Sequence, residues 1–368
     1  MGAPREQVEI AFTLDFLGQI SYNIGMSIRQ CDFRLKSINE DFIVNEVPLL
    51  PDFESMPQKY TYVWLKKSNY TTFEALEAIK DFYGLDFSDV VAEGLKDEDG
   101  ITSQIVSINR KLAKSSIAEF NKAYAGEEAF IFIERIMGYG AEPVTAKALH
   151  GNMFCVTIRN LTADEAEKIV EYTKKHKIFP FINYYDTQRF GLPGGPYTTH
   201  LIGEAICKNR WNEAFRLLKD SGNEIPAGKT GKAAFEAMNP SRVGFFVSSY
   251  NSSLWNKAAS EYLGTVIKTQ AFDFPHLGEL NTPLTPELVP ISEFTIEGRR
   301  FDPETFSVVD HEFKRNLAYP TVVYAGVPQE DEIYPGKTCV KLSFFLSTGC
   351  YATMMIRQIV ATALKEEK

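Results

Sequence analysis

Thr338-Cys339-Val340-Lys341-Leu342-Ser343-Phe344-Phe345-Leu346 alternates apolar and polar side chains with period two. Val340, Leu342, Phe344 and Leu346 point one way, Lys341 and Ser343 the other, which is the pattern of a strand. Working outward, Phe42–Val47, Tyr60–Leu65, Phe130–Ile136 and Phe154–Arg159 carry the same alternation. Between them lie helices with explicit start signals. Thr71 with Glu74 forms a capping box ahead of Phe73, Leu76, Ile79 and Phe82, and Gly84 stops the helix. Thr162 with Glu165 repeats the device ahead of Ile169 and Tyr172, and Ala352–Leu364 places Met355, Ile356, Ile359, Val360 and Ala363 on one helical face. Strands and helices mix without a regular βαβ rhythm, so the expected class is α+β with a mixed, largely antiparallel sheet.

The run Gly191-Leu192-Pro193-Gly194-Gly195-Pro196 predicts a linker or sharp turn. Helical segments follow it (Asn209–Lys219, Lys232–Met238, Asn251–Leu263), and strand character returns at Tyr319–Tyr324. A segment inserted between two parts of a sheet domain fits this order. The 368 residues, 44% hydrophobic and 13% aromatic, suffice for about two domains with sizeable cores. No run of 18 apolar residues occurs and the amino terminus lacks a signal-peptide pattern, so the expected location is the cytoplasm, with no membrane contact. Five widely spaced cysteines without C-x-x-C, and five scattered histidines, give no disulfide framework and no metal site. The net charge of −9 lowers the expectation of a nucleic-acid partner, although a local basic groove can sit on an acidic chain.

Three segments carry polar groups in arrangements suited to chemistry. Gly94-Leu95-Lys96-Asp97-Glu98-Asp99-Gly100-Ile101-Thr102-Ser103-Gln104 lies between apolar stretches, where a loop carboxylate can be rigidly aimed; by pattern alone Asp-Glu-Asp-Gly is more often a solvated turn. Phe181-Ile182-Asn183-Tyr184-Tyr185-Asp186-Thr187-Gln188-Arg189-Phe190-Gly191 interleaves aromatics with Asn, Gln and Arg, types that suit base stacking and phosphate contact; a core strand running into a turn explains it equally well. Leu149-His150-Gly151-Asn152-Met153-Phe154 predicts an ordinary Gly-Asn hairpin turn before a strand. Ala227-Gly228-Lys229-Thr230 is not a phosphate-binding loop: Gly222 is one residue too far upstream, Pro226 intervenes and no strand precedes.

Together these segments, in their order, resemble the TruD-type pseudouridine synthases. Lys36-Ser37-Ile38-Asn39-Glu40-Asp41-Phe42-Ile43-Val44-Asn45-Glu46 is similar to the family's K-x-x-x-E-D-F-x-V-x-E, and Gly94–Gln104 to G-x-K-D-x-x-A-x-T-x-Q. Gly151-Asn152-Met153-Phe154 resembles G-N-x-F, and Asn183-Tyr184-Tyr185 with Gln188-Arg189-Phe190-Gly191 resembles N-Y-F-x-x-Q-R-F-G. Thr348-Gly349-Cys350-Tyr351-Ala352-Thr353 with Arg357 resembles G-S-[FY]-A-T-x-x-x-R.

The resemblance implies a catalytic domain over 25–186 and 313–368, with a TruD-specific α/β domain inserted over 187–312. It implies Asp97 as the catalytic carboxylate, Phe154 as the aromatic that stacks on the target base, and Asn152 as a residue holding the aspartate loop and the base. Lys36, Phe42 and Glu46 would border the site, and Gln188 and Arg189 would join in substrate binding. The expected reaction isomerises a uridine of tRNA, uridine 13 in the D-arm, to pseudouridine without cofactor or metal; a monomer is compatible with it. Lys36 or another nearby cation would keep Asp97 ionised and aimed. Several of the basic residues Arg34, Lys36, Lys66, Lys67, Arg110, Lys111, Lys114, Lys147, Arg159 and Arg189 are expected to line a cleft that grips the RNA backbone, although for any single lysine a solvated face is the commoner reading. Glu98 stands where many members carry Lys or Arg, Gly100 where Ala is usual, and Asp186 where Gly is frequent. Those departures bear on the choice of RNA, so a synthase acting on another RNA and a non-catalytic RNA-binding homologue stay open. A hydrolase pairing Asp97 with Glu98 or Asp99 ranks behind both.

Overall fold

The computed structural model describes residues 24–28 (backbone only), 31–49, 58–145, 149–191 and 195–365. Residues 192–194 of the Gly/Pro run, Lys147 and the amino-terminal hexapeptide lie outside the described residues. In chain order the elements are β1 (Ile24–Ile28), β2 (Cys31–Leu35), β3 (Phe42–Pro48), β4 (Tyr60–Ser68), α1 (Thr72–Tyr83), β5 (Val90–Ala92), β6 (Ile101–Ile108), α2 (Lys114–Ala123), β7 (Phe130–Gly140), β8 (Leu149–Leu161), α3 (Ala163–Lys175) and β9 (Ile178–Ile182). There follow α4 (Thr199–Cys207), α5 (Trp211–Asp220), α6 (Lys232–Glu236), α7 (Pro240–Val266), β10 (Thr269–Phe274), β11 (Gly278–Pro283), β12 (Glu293–Asp302), β13 (Ser307–Asn316), β14 (Ala318–Ala325), β15 (Gln329–Glu330), β16 (Thr338–Ser347) and α8 (Ala352–Ala363).

The chain divides into two compact units. Of the described residues, one comprises 24–28, 31–49, 58–145, 149–179, 321–352 and 363–365, the other 180–191, 195–320 and 353–362. The chain passes from one to the other within β9, returns within β14, and crosses again for residues 353–362 of α8.

The first unit is built on a sheet ordered β7-β4-β6-β3-β8-β16-β14-β9. The β3–β6 junction is parallel; β4–β6, β4–β7, β3–β8, β8–β16 and β14–β16 are antiparallel. The sheet is therefore mixed and mostly antiparallel, as the alternation predicts. Register carries more information than order here. Lys67 pairs with Thr102, Thr102 with Val44, Val44 with Phe154 and Phe154 with Phe344. Paired residues project to the same face of a sheet, so these five side chains share one face, with Phe42, Glu46 and Asn152 two positions along their strands. Further toward β7 that face is covered by α1 and α2, through Leu76, Ile79 and Phe120 packed with Val63, Leu65, Val106, Ile131 and Ile133. The capping box of α1 forms as predicted: Glu74 N donates to Thr71 Oγ1 (3.1 Å) and Thr71 N to Glu74 Oε2 (2.7 Å). Gly84 closes the helix at φ +63°, the left-handed conformation glycine adopts without strain. The Gly151-Asn152 pair does not turn. It lies inside the 13-residue strand β8, where Gly151 pairs with Ser347 and Asn152 with Leu346. Cross-strand pairing on both sides outweighs the local turn preference.

The second unit packs α4, α5 and α6 against α7 through Ile202, Ile206, Leu218, Phe235, Phe246 and Val247, with β10–β11 and β12–β13 as separate antiparallel hairpins. The predicted helix Asn251–Leu263 is the second half of the 27-residue α7, started by Asn239, whose side chain accepts from Ser241 N, and by Pro240 at its first turn. Asp186 is fully buried (0% exposed). Its carboxylate caps Thr187 N (2.7 Å), accepts from Thr353 Oγ1 and pairs with Arg357 Nη1 (3.3 Å) on α8. The residue that departs from the family pattern thus carries a buried ion pair. Asp186→Gly is expected to destabilise by about 3 kcal/mol, because it strips the buried Arg357 of this counter-charge. Chemical denaturation followed by circular dichroism measures it; a midpoint equal to wild type would refute the assignment.

Candidate active site

Asp97 sits in the loop between β5 and β6, at the edge of the shared face. Its carboxylate Oδ2 accepts a hydrogen bond from Lys36 Nζ at 3.1 Å. The pair is asymmetric: the Lys36 side chain is 3% exposed and that of Asp97 39%. A buried cation therefore holds a carboxylate that still faces solvent, the arrangement needed for an ionised group that must meet an incoming molecule. Lys36 is aimed by its surroundings. Its φ of +57° is unusual for a side-chain-bearing residue, and its ammonium lies 4.3 Å from the centroid of the Phe42 ring.

The turn that launches Lys36 is fastened from below. Asp41 Oδ2 accepts from Ser37 N (3.1 Å) and Ile38 N (3.2 Å). Arg159 grips the same carboxylate with Nε (2.7 and 2.8 Å) and reaches Asp331 with Nη1 (2.9 Å) and Glu332 with Nη2 (3.0 Å). Arg159 is thereby engaged inside the protein, its side chain 4% exposed, which leaves it little surface to offer an RNA. Lys36 and Lys67 are buried as well, and Arg34 pairs with Asp32 at 2.9 Å. Lys36, Lys67 and Arg159 thus hold carboxylates and carbonyls of the protein itself.

The aspartate loop is not a solvated turn. Lys96 N donates to Thr72 Oγ1 (2.9 Å), and Gln104 Nε2 donates to Gly94 O (3.4 Å). Lys96 Nζ forms a buried ion pair with Glu46 Oε2 at 3.0 Å. Burial raises the Glu46 carboxyl above its ordinary range while Lys96 opposes the rise. Burial likewise raises Asp99, against the pull of Lys36. At Gly100 an added Cβ would lie 2.5 Å from the Phe42 carbonyl oxygen, so the loop closes against strand β3 more tightly than alanine permits. Gly100→Ala is expected to lift the loop from β3 and lower turnover about 100-fold, with little change in melting temperature; unchanged kinetics would show that the loop tolerates the shift.

Phe154 is 8% exposed, with the Phe344 ring stacked on it at 5.4 Å and 19° and the Phe42 ring edge-on at 5.9 Å. Asn152 pairs with Glu46 across β8 and β3. Asn152 Oδ1 and Thr102 Oγ1 are buried with no hydrogen-bond partner, and buried polar atoms of this kind call for a ligand or water. The structure thus assembles Lys36, Phe42, Glu46, Asp97, Asn152 and Phe154 within one unit. Gln188 and Arg189 belong to the other. Gln188 is exposed, whereas Arg189 is tied to α7, its Nε donating to Ser252 Oγ (3.1 Å) and its guanidinium lying 4.9 Å from the Phe245 ring. The motif readings did not single out Lys96, Thr72 or Lys67 as loop-holding groups. Lys67 left a signal in its period-two phase with the inward Val63 and Leu65, and Lys96 in its place as the motif lysine before Asp97; Thr72 left none.

A family model, tRNA pseudouridine synthase D (TruD), matches residues 21–225, more than half of the chain and the whole of this constellation. The chain belongs to the TruD family. Among its TruD relatives, a Methanocaldococcus jannaschii protein named "Probable tRNA pseudouridine synthase D 2" is 24% identical over 88% of this chain and 91% of that protein. The tRNA pseudouridine synthase D of Leptospira interrogans is 26% identical over 89% of this chain and 96% of its own length. The crystal structure of a Methanosarcina mazei protein assigned to TruD superposes with a TM-score of 0.62 at 18% identity, covering 94% of this chain and 96% of that one. The α+β fold with its mostly antiparallel sheet is accordingly the TruD fold. Among the described residues no helix is long and apolar enough to cross a membrane.

Proposed function

We propose that this protein is a cofactor-free tRNA pseudouridine synthase in which Asp97 is the nucleophilic carboxylate and uridine 13 of the D-arm is the target. The observation that carries the reading is the buried Lys36 ammonium holding a solvent-facing Asp97 carboxylate at 3.1 Å, beside a sheet face that bears Phe154, Asn152 and Glu46. The reaction breaks the bond between ribose C1′ and uracil N1 and forms one from C1′ to C5; C5 loses a proton and N1 gains one. Nothing is oxidised or added, so the chemistry asks only for a carboxylate acting at the sugar and a pocket that retains the detached base. Unstacking the uridine costs a few kcal/mol, and stacking on an aromatic such as Phe154 returns about 1–3 kcal/mol. Lys36, Phe42, Glu46 and Asn152 line the site; Gln188 and Arg189, in the inserted domain (187–312), are assigned to tRNA binding on their own unit, the catalytic domain being 25–186 with 313–368. Carbodiimide-based pseudouridine mapping of unmodified transcribed tRNAs tests the reading. A new mark at a single D-arm uridine is the expected result. No mark on any tRNA, with tight binding retained, would replace it with the non-catalytic RNA-binding reading or a different RNA substrate.

A further inference from the structure

Lys67 lies at the end of β4, on the same sheet face as Thr102, Val44 and Phe154, and is 1% exposed. A buried lysine normally pairs with a carboxylate. This one instead points its ammonium at three main-chain oxygens, donating to the carbonyls of Tyr70 (2.8 Å), Lys96 (3.3 Å) and Asp97 (2.7 Å). An ammonium has three N–H donors and no acceptor, so this contact set uses it completely. Two of the three oxygens belong to the catalytic loop, one of them to Asp97 itself. Lys36 and Lys67 therefore divide the work: Lys36 holds the carboxylate, Lys67 holds the peptide from which it projects.

We propose that Lys67 is the positioning residue of the active site, a buried cation that clamps the main chain of the Asp97 loop onto β4 and so sets where the carboxylate stands. The proposal rests on the reading of Asp97 as the reacting carboxylate. It also predicts a pH response, since a neutral amine has only two N–H groups and must release one carbonyl. Burial lowers Lys67 to about 8, with the Asp97 and Glu98 carboxylates resisting that fall. The charged groups facing it are Asp97, Glu98, Asp99 and Lys96 from the loop and Glu74 from α1. The sign follows from the lowered value. Above about 8 the folded protein sheds a proton that the unfolded chain keeps, so global stability gains from this group as pH rises toward the ordinary lysine range, while the loop itself loses a tether.

The test is hydrogen exchange of the peptide spanning residues 94–104, corrected for intrinsic rates, at about pH 7 and about pH 9.5, together with single-turnover and steady-state kinetics on tRNA. In the wild type, loop protection is expected to fall about tenfold between the two pH values while protection of β8 stays constant. In Lys67→Met the loss is expected already at the lower pH, kcat is expected to fall about 100-fold, and KM for tRNA to stay within about threefold. Wild-type loop protection that does not change with pH shows that Lys67 stays charged to about pH 9.5 and strikes the pH response; wild-type loop protection in Lys67→Gln, the variant used if Lys67→Met fails to fold, overturns the proposal. So does a folded Lys67→Met with wild-type kcat and protection. A wild type that converts no uridine removes the functional reading instead, and leaves the exchange result to decide the clamp.

Discussion

Asp97→Asn is expected to reduce pseudouridine formation by about 10⁴-fold or more while the protein stays folded and still binds tRNA. Loss of that size is typical when the group that acts on the reacting atoms is removed and binding contacts are kept. The structure explains why folding is spared. The Asp97 side chain is 39% exposed, so no buried cavity or buried orphan charge is created at that position itself. The asparagine oxygen can still accept from Lys36, whose ammonium also keeps its contact with the Phe42 ring at 4.3 Å. The loop stays tied through Lys96 N to Thr72 Oγ1 and through Lys67 to the carbonyl of residue 97, bonds indifferent to the charge of the side chain. The variant separates the competing readings. Retained turnover would sink Asp97 as nucleophile. Release of free uracil by the wild type, lost in Glu98→Gln, would favour the hydrolase reading. In the synthase, Glu98→Gln is expected to stay within about threefold of wild type, because Glu98 is exposed and makes no side-chain bond to the loop.

Arg159→Met is expected to be the most destabilising of the single changes considered, by about 5 kcal/mol, visible as a fall of roughly 10 °C in the melting of the unit that contains the site. The reason is arithmetic of charge. Asp41 is 1% exposed and Asp331 2%, and both depend on the one guanidinium; Glu332 is at the surface and can return to water. Removing the cation leaves two buried carboxylates facing each other's field. The two respond to acid in opposite ways. Burial raises Asp41, the Arg159 bonds not fully offsetting it, so its ionised form weighs against the fold. Burial also pushes Asp331 upward, but backbone N–H groups of Asn160, Ile333 and Tyr334 together with Arg159 bring it below its ordinary value. Asp331 therefore contributes stability that is present above the unfolded carboxylate value near 3.9 and is lost as pH falls through its lower folded value. Activity should drop with Arg159→Met even well below the melting transition, since Asp41 closes the turn from which Lys36 reaches Asp97. A variant with unchanged melting but weaker, less salt-sensitive tRNA binding would instead restore Arg159 to the RNA-contacting role suggested by its place in the chain.

Much of the fold was legible from local chemistry. Strand alternation in Thr338–Leu346 and the capping boxes at Thr71 and Thr162 depend only on neighbours within a few residues, and all appear where the periodicity puts them. One reading failed where distant partners outweighed local preference: Gly151-Asn152 became the interior of β8, flanked by β3 and β16; the helix expected over Asn251–Leu263 is present and starts earlier, at Pro240.

By itself the sequence determined the α+β class, most element positions and, through five motifs in order, the family; Asp97 is picked out by one of those motifs alone. Tertiary structure decided what the charged residues around it do. Lys36 at the carboxylate, Lys67 at the carbonyls and Arg159 beneath the turn are interchangeable basic letters in a linear reading. They separate only when residues 61, 30 and 118 positions away in the chain come within hydrogen-bond distance. That is also why several of the basic residues read as an RNA groove are interior struts instead: burial makes a cation's partner, not its type, decide its role.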